Sequence, residues 1–110
     1  MPTGEPGEQY LYLTTRGRKS GLPREIEIWF TTRNGRYYVI AEHANSDWVE
    51  NLRANPQAQV RLGSRTMLAH ARVLSAEAEP DLYHQVQDLS RQKYGWGEGL
   101  PVELVPEAIG

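Results

Sequence analysis

Gln9-Tyr10-Leu11-Tyr12-Leu13-Thr14-Thr15-Arg16-Gly17-Arg18-Lys19-Ser20-Gly21-Leu22-Pro23-Arg24-Glu25-Ile26-Glu27-Ile28-Trp29-Phe30 reads as two strands around a basic turn. Leu11 and Leu13 alternate with Tyr10, Tyr12 and Thr14, while Ile26, Ile28 and Phe30 alternate with Glu25, Glu27 and Trp29. A period of two places each set on one face of a strand. Between the runs stand four cations (Arg16, Arg18, Lys19 and Arg24) with Gly17, Gly21 and Ser20, and no acidic residue occurs from Gln9 to Arg24. Glycine lets the backbone bend and approach a ligand closely. Arginine and lysine supply forked and point-charge donors that suit phosphate. The spacing matches neither a Walker loop nor a Rossmann fingerprint, so the turn reads either as an anion grip or as a solvated hairpin loop.

Working outward, Asn34-Gly35 is a two-residue hairpin signal, and residues 36–41 return as a third strand. This predicts a three-strand meander. Ser46 or Asp47 can cap a short helix in which Trp48 and Leu52 lie one turn apart, and Pro56 ends it. Residues 57–62 form a fourth strand with Ala58, Val60 and Leu62 inward, and Gly63-Ser64 turns the chain into a fifth over 66–74. A longer helix begins at Pro80, a residue suited to a first turn, with Leu82, Tyr83, Val86, Leu89 and Ser90 as its buried stripe. Gly95-Trp96-Gly97 stops it, and residues 101–105 read as a sixth, short strand. Strands dominate without parallel-type alternation. The expected fold is mainly β with two helices, a small antiparallel barrel whose helices plug its ends or fill its split.

A chain of 110 residues fits one domain. Residues 1–8, rich in Pro, Gly and Glu, read as a flexible lead-in, and residues 9–110 as the domain. The net charge of −2 gives no general attraction to nucleic acid or to an anionic membrane, which sets the basic turn apart as a local feature. The absence of cysteine removes disulfides, thiolate nucleophiles and Cys-based zinc sites. The N-terminus has neither a basic start nor an apolar run, and no stretch approaches the roughly 20 apolar residues that span a bilayer. A cytoplasmic location is expected.

With these pieces in order, the chain resembles the deazaflavin (F420)-dependent nitroreductase family, a branch of the flavin-reductase-like split β-barrels. The resemblance rests on residues 13–21 with Pro23 and Arg24, a strand ending Trp29-Phe30, Asn34-Gly35-Arg36-Tyr37, and Trp48-Val-Glu-Asn-Leu-Arg-Ala-Asn-Pro56. It spans roughly residues 10–75 and weakens beyond. It implies a split barrel that binds coenzyme F420 and passes a hydride to a quinone, nitroaromatic or activated alkene. Arg18, Lys19, Ser20 and Arg24 match the segment that holds the coenzyme's phosphate, with Gly17 and Gly21 shaping the loop. Trp29, Ala41, Glu42 and His43 fall where the family lines the deazaflavin ring, and Tyr94 falls near its aromatic substrate contacts. Two departures stand out: Glu27 replaces a customary proline, and the loop after the third strand, residues 42–46, is short. FMN is the alternative cofactor.

Hydride transfer asks the protein for position and electrostatics, because the cofactor carries the hard chemistry. No nucleophile or triad is expected, and His43 and Tyr94 are the candidate proton donors. His43 reads equally as a turn residue, and Tyr94 as an aromatic anchoring the helix end. Glu42, His43 and Asp47 match no common metal-site spacing, so no metal is expected. Asp81, His84 and Asp88 read as a solvated helix face. Two other functional classes compete: a non-catalytic cofactor- or lipid-binding barrel, which Glu27 favours, and a nucleic-acid binder stacking on Tyr10 and Tyr12, which net charge opposes. The expected partners are a small-molecule electron acceptor and a second copy in a homodimer, with no nucleic acid and no membrane segment.

Overall fold

A computed structural model describes residues 9–107; the expected lead-in over residues 1–8 lies outside them. Seven strands, β1 (Tyr10–Arg16), β2 (Pro23–Trp29), β3 (Thr31–Arg33), β4 (Arg36–Ala41), β5 (Gln57–Leu62), β6 (Arg65–Val73) and β7 (Leu100–Pro106), join helices α1 (Asp47–Ala54) and α2 (Pro80–Tyr94). All strand pairs are antiparallel, in one curled sheet of order β2-β1-β5-β6-β7-β4-β3. The expected mainly β split barrel with two helices is what forms.

The three-strand meander does not form. β1 and β2 make a hairpin with Leu13 opposite Ile26, but the chain leaves the ladder at Phe30 and restarts as β3, which pairs only with β4. The Asn34-Gly35 turn is present, with positive φ at both residues (54° and 75°) as a two-residue hairpin requires. β4 then pairs with β7 and not with β2. The cause lies at Phe30, whose ring is buried (2% exposed). Its backbone groups bond to side chains of α2 instead of a strand: its N–H donates to the Tyr94 hydroxyl at 3.1 Å, and its carbonyl accepts from Lys93 Nζ at 2.9 Å. Strands adjacent in sequence, β2 and β3, thereby become the two opposite edges of the sheet. The gap between them is the split.

Alternation sorts the side chains as the sequence period demands. Leu11, Leu13, Phe30, Val39, Val60, Val102 and Leu104 fill the inside of the curl, and α1 adds Leu52 with Trp48 packed beside it. Thus α1 plugs the barrel. Helix α2 does something else: Val86 meets Tyr38 and Leu74, with Ile40, Leu82 and Tyr83 around them, on the outer face of β4. Burying Leu74 and Val86 there contributes about 1.5–3 kcal/mol each. The helix starts at Pro80 as expected and stops at Gly95 (φ 80°), whose N–H bonds the Arg91 carbonyl at 2.8 Å. Beside this outer cluster, Glu103 of β7 is 1% exposed. It accepts from Tyr38 (2.9 Å), Arg36 (3.2 Å) and Arg72 (3.1 Å). Burial opposes its ionisation, but these bonds outweigh that and hold its carboxyl below the usual carboxylate range.

Candidate functional site

The basic turn divides its four cations into two kinds. Arg16 closes the turn on itself, its Nη1 donating to the Gly21 carbonyl at 2.7 Å. Arg18 reaches across to α1, where Nη1 donates to Asn51 Oδ1 at 2.9 Å and Nη2 stands 3.4 Å from Asp47 Oδ1. Lys19 and Arg24 have no hydrogen-bond or ion-pair partner among the described residues. The turn is braced by Gly17 N–H to Leu22 O and Gly21 N–H to Gly17 O, each 2.8 Å. Gly21 sits at φ +74°, which glycine adopts without strain.

Lys19, Ser20 and Arg24 border a pocket of about 480 Å³ whose far wall is Asn51, Trp48 and Asp47 of α1. A second, larger cavity of about 690 Å³ opens along the split. Ile26 and Trp48 line both. The two form one groove, cationic at one end and largely apolar and aromatic along the rest. Of the residues expected at a ring, Trp29, Ala41, Glu42 and His43 all line the larger cavity. Ser20, Lys19, Arg18 and Arg24 line the cationic end, while Gly21 does not line it and serves the turn's backbone.

Trp29 is held flat by Tyr94, the rings lying 4.4 Å apart and 2° from parallel. Tyr94 itself does not line the cavity. Its hydroxyl lies 2.7 Å from the Gln9 carbonyl and 2.8 Å from the Phe30 carbonyl, and it accepts the Phe30 N–H. Burial pushes its phenol up from the ordinary value. These bonds anchor the end of α2 to the main chain at Phe30. His43 does reach the cavity mouth, with Nε2 3.9 Å from Glu42 Oε1 and both side chains exposed. Its carbonyl accepts from Ser46 Oγ at 2.7 Å, which closes the short loop after β4.

Glu27 borders the cavity, but its carboxylate accepts from the Tyr12 hydroxyl at 2.9 Å. That bond, before any other influence, pushes the Tyr12 phenol up. No group of three or more potential metal ligands occurs among the described residues. Sequence reasoning missed Tyr38, Ile40 and Trp96, which wall the α2 side of the cavity, and Asn51 at the cationic end. Only the Trp48–Pro56 motif carried a local signal for any of them, and it gave Asn51 no role.

A curled antiparallel sheet with a cationic pocket running into a largely apolar split defines a split barrel. The profile of the F420H(2)-dependent quinone reductase family matches residues 3–104, and the chain belongs to that family. It is similar in structure to an F420-H2 dependent reductase, FDR-A, at 24% identity, covering 91% of this chain and 95% of that one with a TM-score of 0.69. The heme storage protein HutZ from Vibrio cholerae superposes with a TM-score of 0.75 at 20% identity, covering 92% and 83% of the two chains. An FAD-binding protein from Mesorhizobium loti gives 0.71 at 14% identity, with 92% and 83% covered. These structural likenesses establish the split-barrel fold, and the family match establishes an oxidoreductase family. No helix among the described residues is long and apolar enough to cross a membrane.

Proposed function

We propose that the groove holds coenzyme F420, its phosphate at Lys19 and Arg24 and its ring in the split, for reduction of a quinone, nitroaromatic or activated alkene. The observation that carries this reading is the pair of partnerless cations at one end of a groove that continues between Trp29, Ala41 and Trp48. Two cations without protein partners fit a phosphodiester, and a mostly apolar slot fits a planar heterocycle. The reduced coenzyme supplies a hydride when bound. The protein's part is to fix the ring against Trp29, which Tyr94 keeps from rotating, and to exclude water with Ile26, Ile28 and Trp48. A quinone that gains a hydride still needs one proton, and His43 at the cavity mouth is the side chain we assign to give it. Tyr94 is left out of this role because the main chain occupies its hydroxyl. Glu27 is compatible with an anionic ring because its carboxylate is turned to Tyr12.

The test is direct. Mixing the protein with reduced F420 and a quinone should cause catalytic loss of the reduced coenzyme's absorbance. Tight FMN binding with no F420 binding would move the chain to a flavin-using reading. Binding of F420 without turnover on any of the three acceptor classes would favour a non-catalytic binding barrel. We extend the proposal to a homodimer, since Tyr10 and Trp29 stand 44% and 40% exposed at the open side of the groove. A solution mass near twice 12.5 kDa is the expected reading.

A further inference from the structure

We propose that the larger cavity admits neutral and positively charged electron acceptors and turns away anionic ones, with Glu42 as the residue that sets the choice. This rests on the reading that the acceptor enters that cavity, and adds the charge an acceptor can carry. The two ends of the groove have opposite character. Arg18, Lys19 and Arg24 line the smaller pocket, whereas no lysine or arginine among the described residues lines the larger cavity. The carboxylates there are Glu27 and Glu42, and Trp29, Trp48, Trp96 and Tyr10 supply aromatic walls. Aromatic faces and carboxylates together attract a cation and repel an anion. Lys93 of α2 does not offset them from within the cavity, because its Nζ is held 2.9 Å from the Phe30 carbonyl and 3.9 Å over that ring.

The two carboxylates do not weigh equally. Glu27 accepts from the Tyr12 hydroxyl at 2.9 Å, and the Arg61 guanidinium lies 4.0 Å over the Tyr12 ring, which offsets part of its charge. Glu42 has only the His43 imidazole beside it at 3.9 Å, a group that is positive only when protonated. Glu42 follows directly on β4. The loop after it is closed by Ser46, whose N–H and Oγ both donate to the His43 carbonyl, at 3.1 and 2.7 Å. The backbone that carries Glu42 is thereby fixed at the cavity mouth. With a phosphate seated among the cations at the other end, Glu42 has no strong positive field to compete with.

The experiment uses three naphthoquinones that carry, through the same short spacer, a trimethylammonium, a hydroxyl or a sulfonate group. Their kcat/KM with reduced F420 is measured at low salt and a pH of about 8 in wild type, Glu42→Gln and Glu77→Gln. Glu77 is exposed and does not line the cavity, so its replacement changes the net charge alone. Comparing variants cancels the intrinsic reactivity of each quinone. The ammonium compound should be preferred over the sulfonate by roughly tenfold in wild type. That preference should shrink several-fold in Glu42→Gln and persist in Glu77→Gln. Binding is read separately by tryptophan quenching without coenzyme, since all three tryptophans of the chain line this cavity. Phosphate buffer keeps the sulfonate from simply taking the cationic end, and the same order of affinities is expected. Equal or reversed preference in wild type, or an undiminished preference in Glu42→Gln, would overturn the inference. If wild type reduces none of the three quinones, the functional reading falls, and the order of quenching still decides for or against selection by charge. Quenching by none of them would sink the inference as well.

Discussion

Lys19 and Arg24 differ from Arg16 and Arg18 in one respect that the sequence does not display, namely the absence of a protein acceptor. Replacing either Lys19 or Arg24 by alanine should weaken F420 binding by about 1.5–3 kcal/mol, the range for charge-assisted hydrogen bonds. A fluorescence titration reads this directly, and equal affinity in wild type and both variants would remove the phosphate site. A second residue-scale expectation concerns Glu103, buried among Tyr38, Arg36 and Arg72. Glu103→Gln leaves Arg36 without its carboxylate and Arg72 with Glu79 alone, and should cost about 1.5–3 kcal/mol of stability in urea unfolding, as for hydrogen bonds to a charged group. The pH dependence has a definite sign. Because the folded carboxyl titrates below its ordinary value of 4.5, its contribution is complete above that value and drains away as pH falls through the lowered one. Acid unfolding of Glu103→Gln should lack that component. Glu103 was not legible in the sequence: within residues 101–105 it reads as an ordinary outward position, and its three partners come from β4 and β6.

At the scale of elements, the end of α2 matters more than its length. Tyr94→Phe removes the acceptor of the Phe30 N–H and should destabilise the fold by about 1–3 kcal/mol. The rate of the chemical step should hardly change once the protein is folded, and a collapse of kcat at normal stability would return Tyr94 to the proton-donor role. Gly99 is a second such point. A Cβ there would lie 2.0 Å from the Ala41 carbonyl oxygen, so Gly99→Ala must push β7 away from β4 and should lower the melting temperature by several degrees. Most elements were legible beforehand, because alternation, Asn34-Gly35, Pro56 and Pro80 are local signals. The break at Phe30 was not. No glycine or proline marks it, and it exists because Lys93 and Tyr94, more than sixty residues onward, supply the bonds that a strand would have given.

For the whole molecule, charge and shape act on different ends of the groove. Lys19 and Arg24 are exposed, so added salt should weaken coenzyme binding through screening. The KM for a neutral quinone, governed by the apolar compartment, should stay nearly constant. The two stretches that the resemblance assigned to phosphate and ring line the two ends of the groove. What it could not supply was the ownership of Arg18 by α1, which becomes visible only when β1, the turn and the helix are assembled.

One consequence follows from the sheet having β2 and β3 as its two margins. Since no ladder hydrogen bonds cross from one margin to the other, parting them melts no strand, and the side chains of Lys93 and Tyr94 gripping Phe30 act as a clasp beside the gap. The width of the slot is therefore set by the one-residue link at Phe30 and by the side chains that hold it, where a fully laddered barrel would be fixed by its strands.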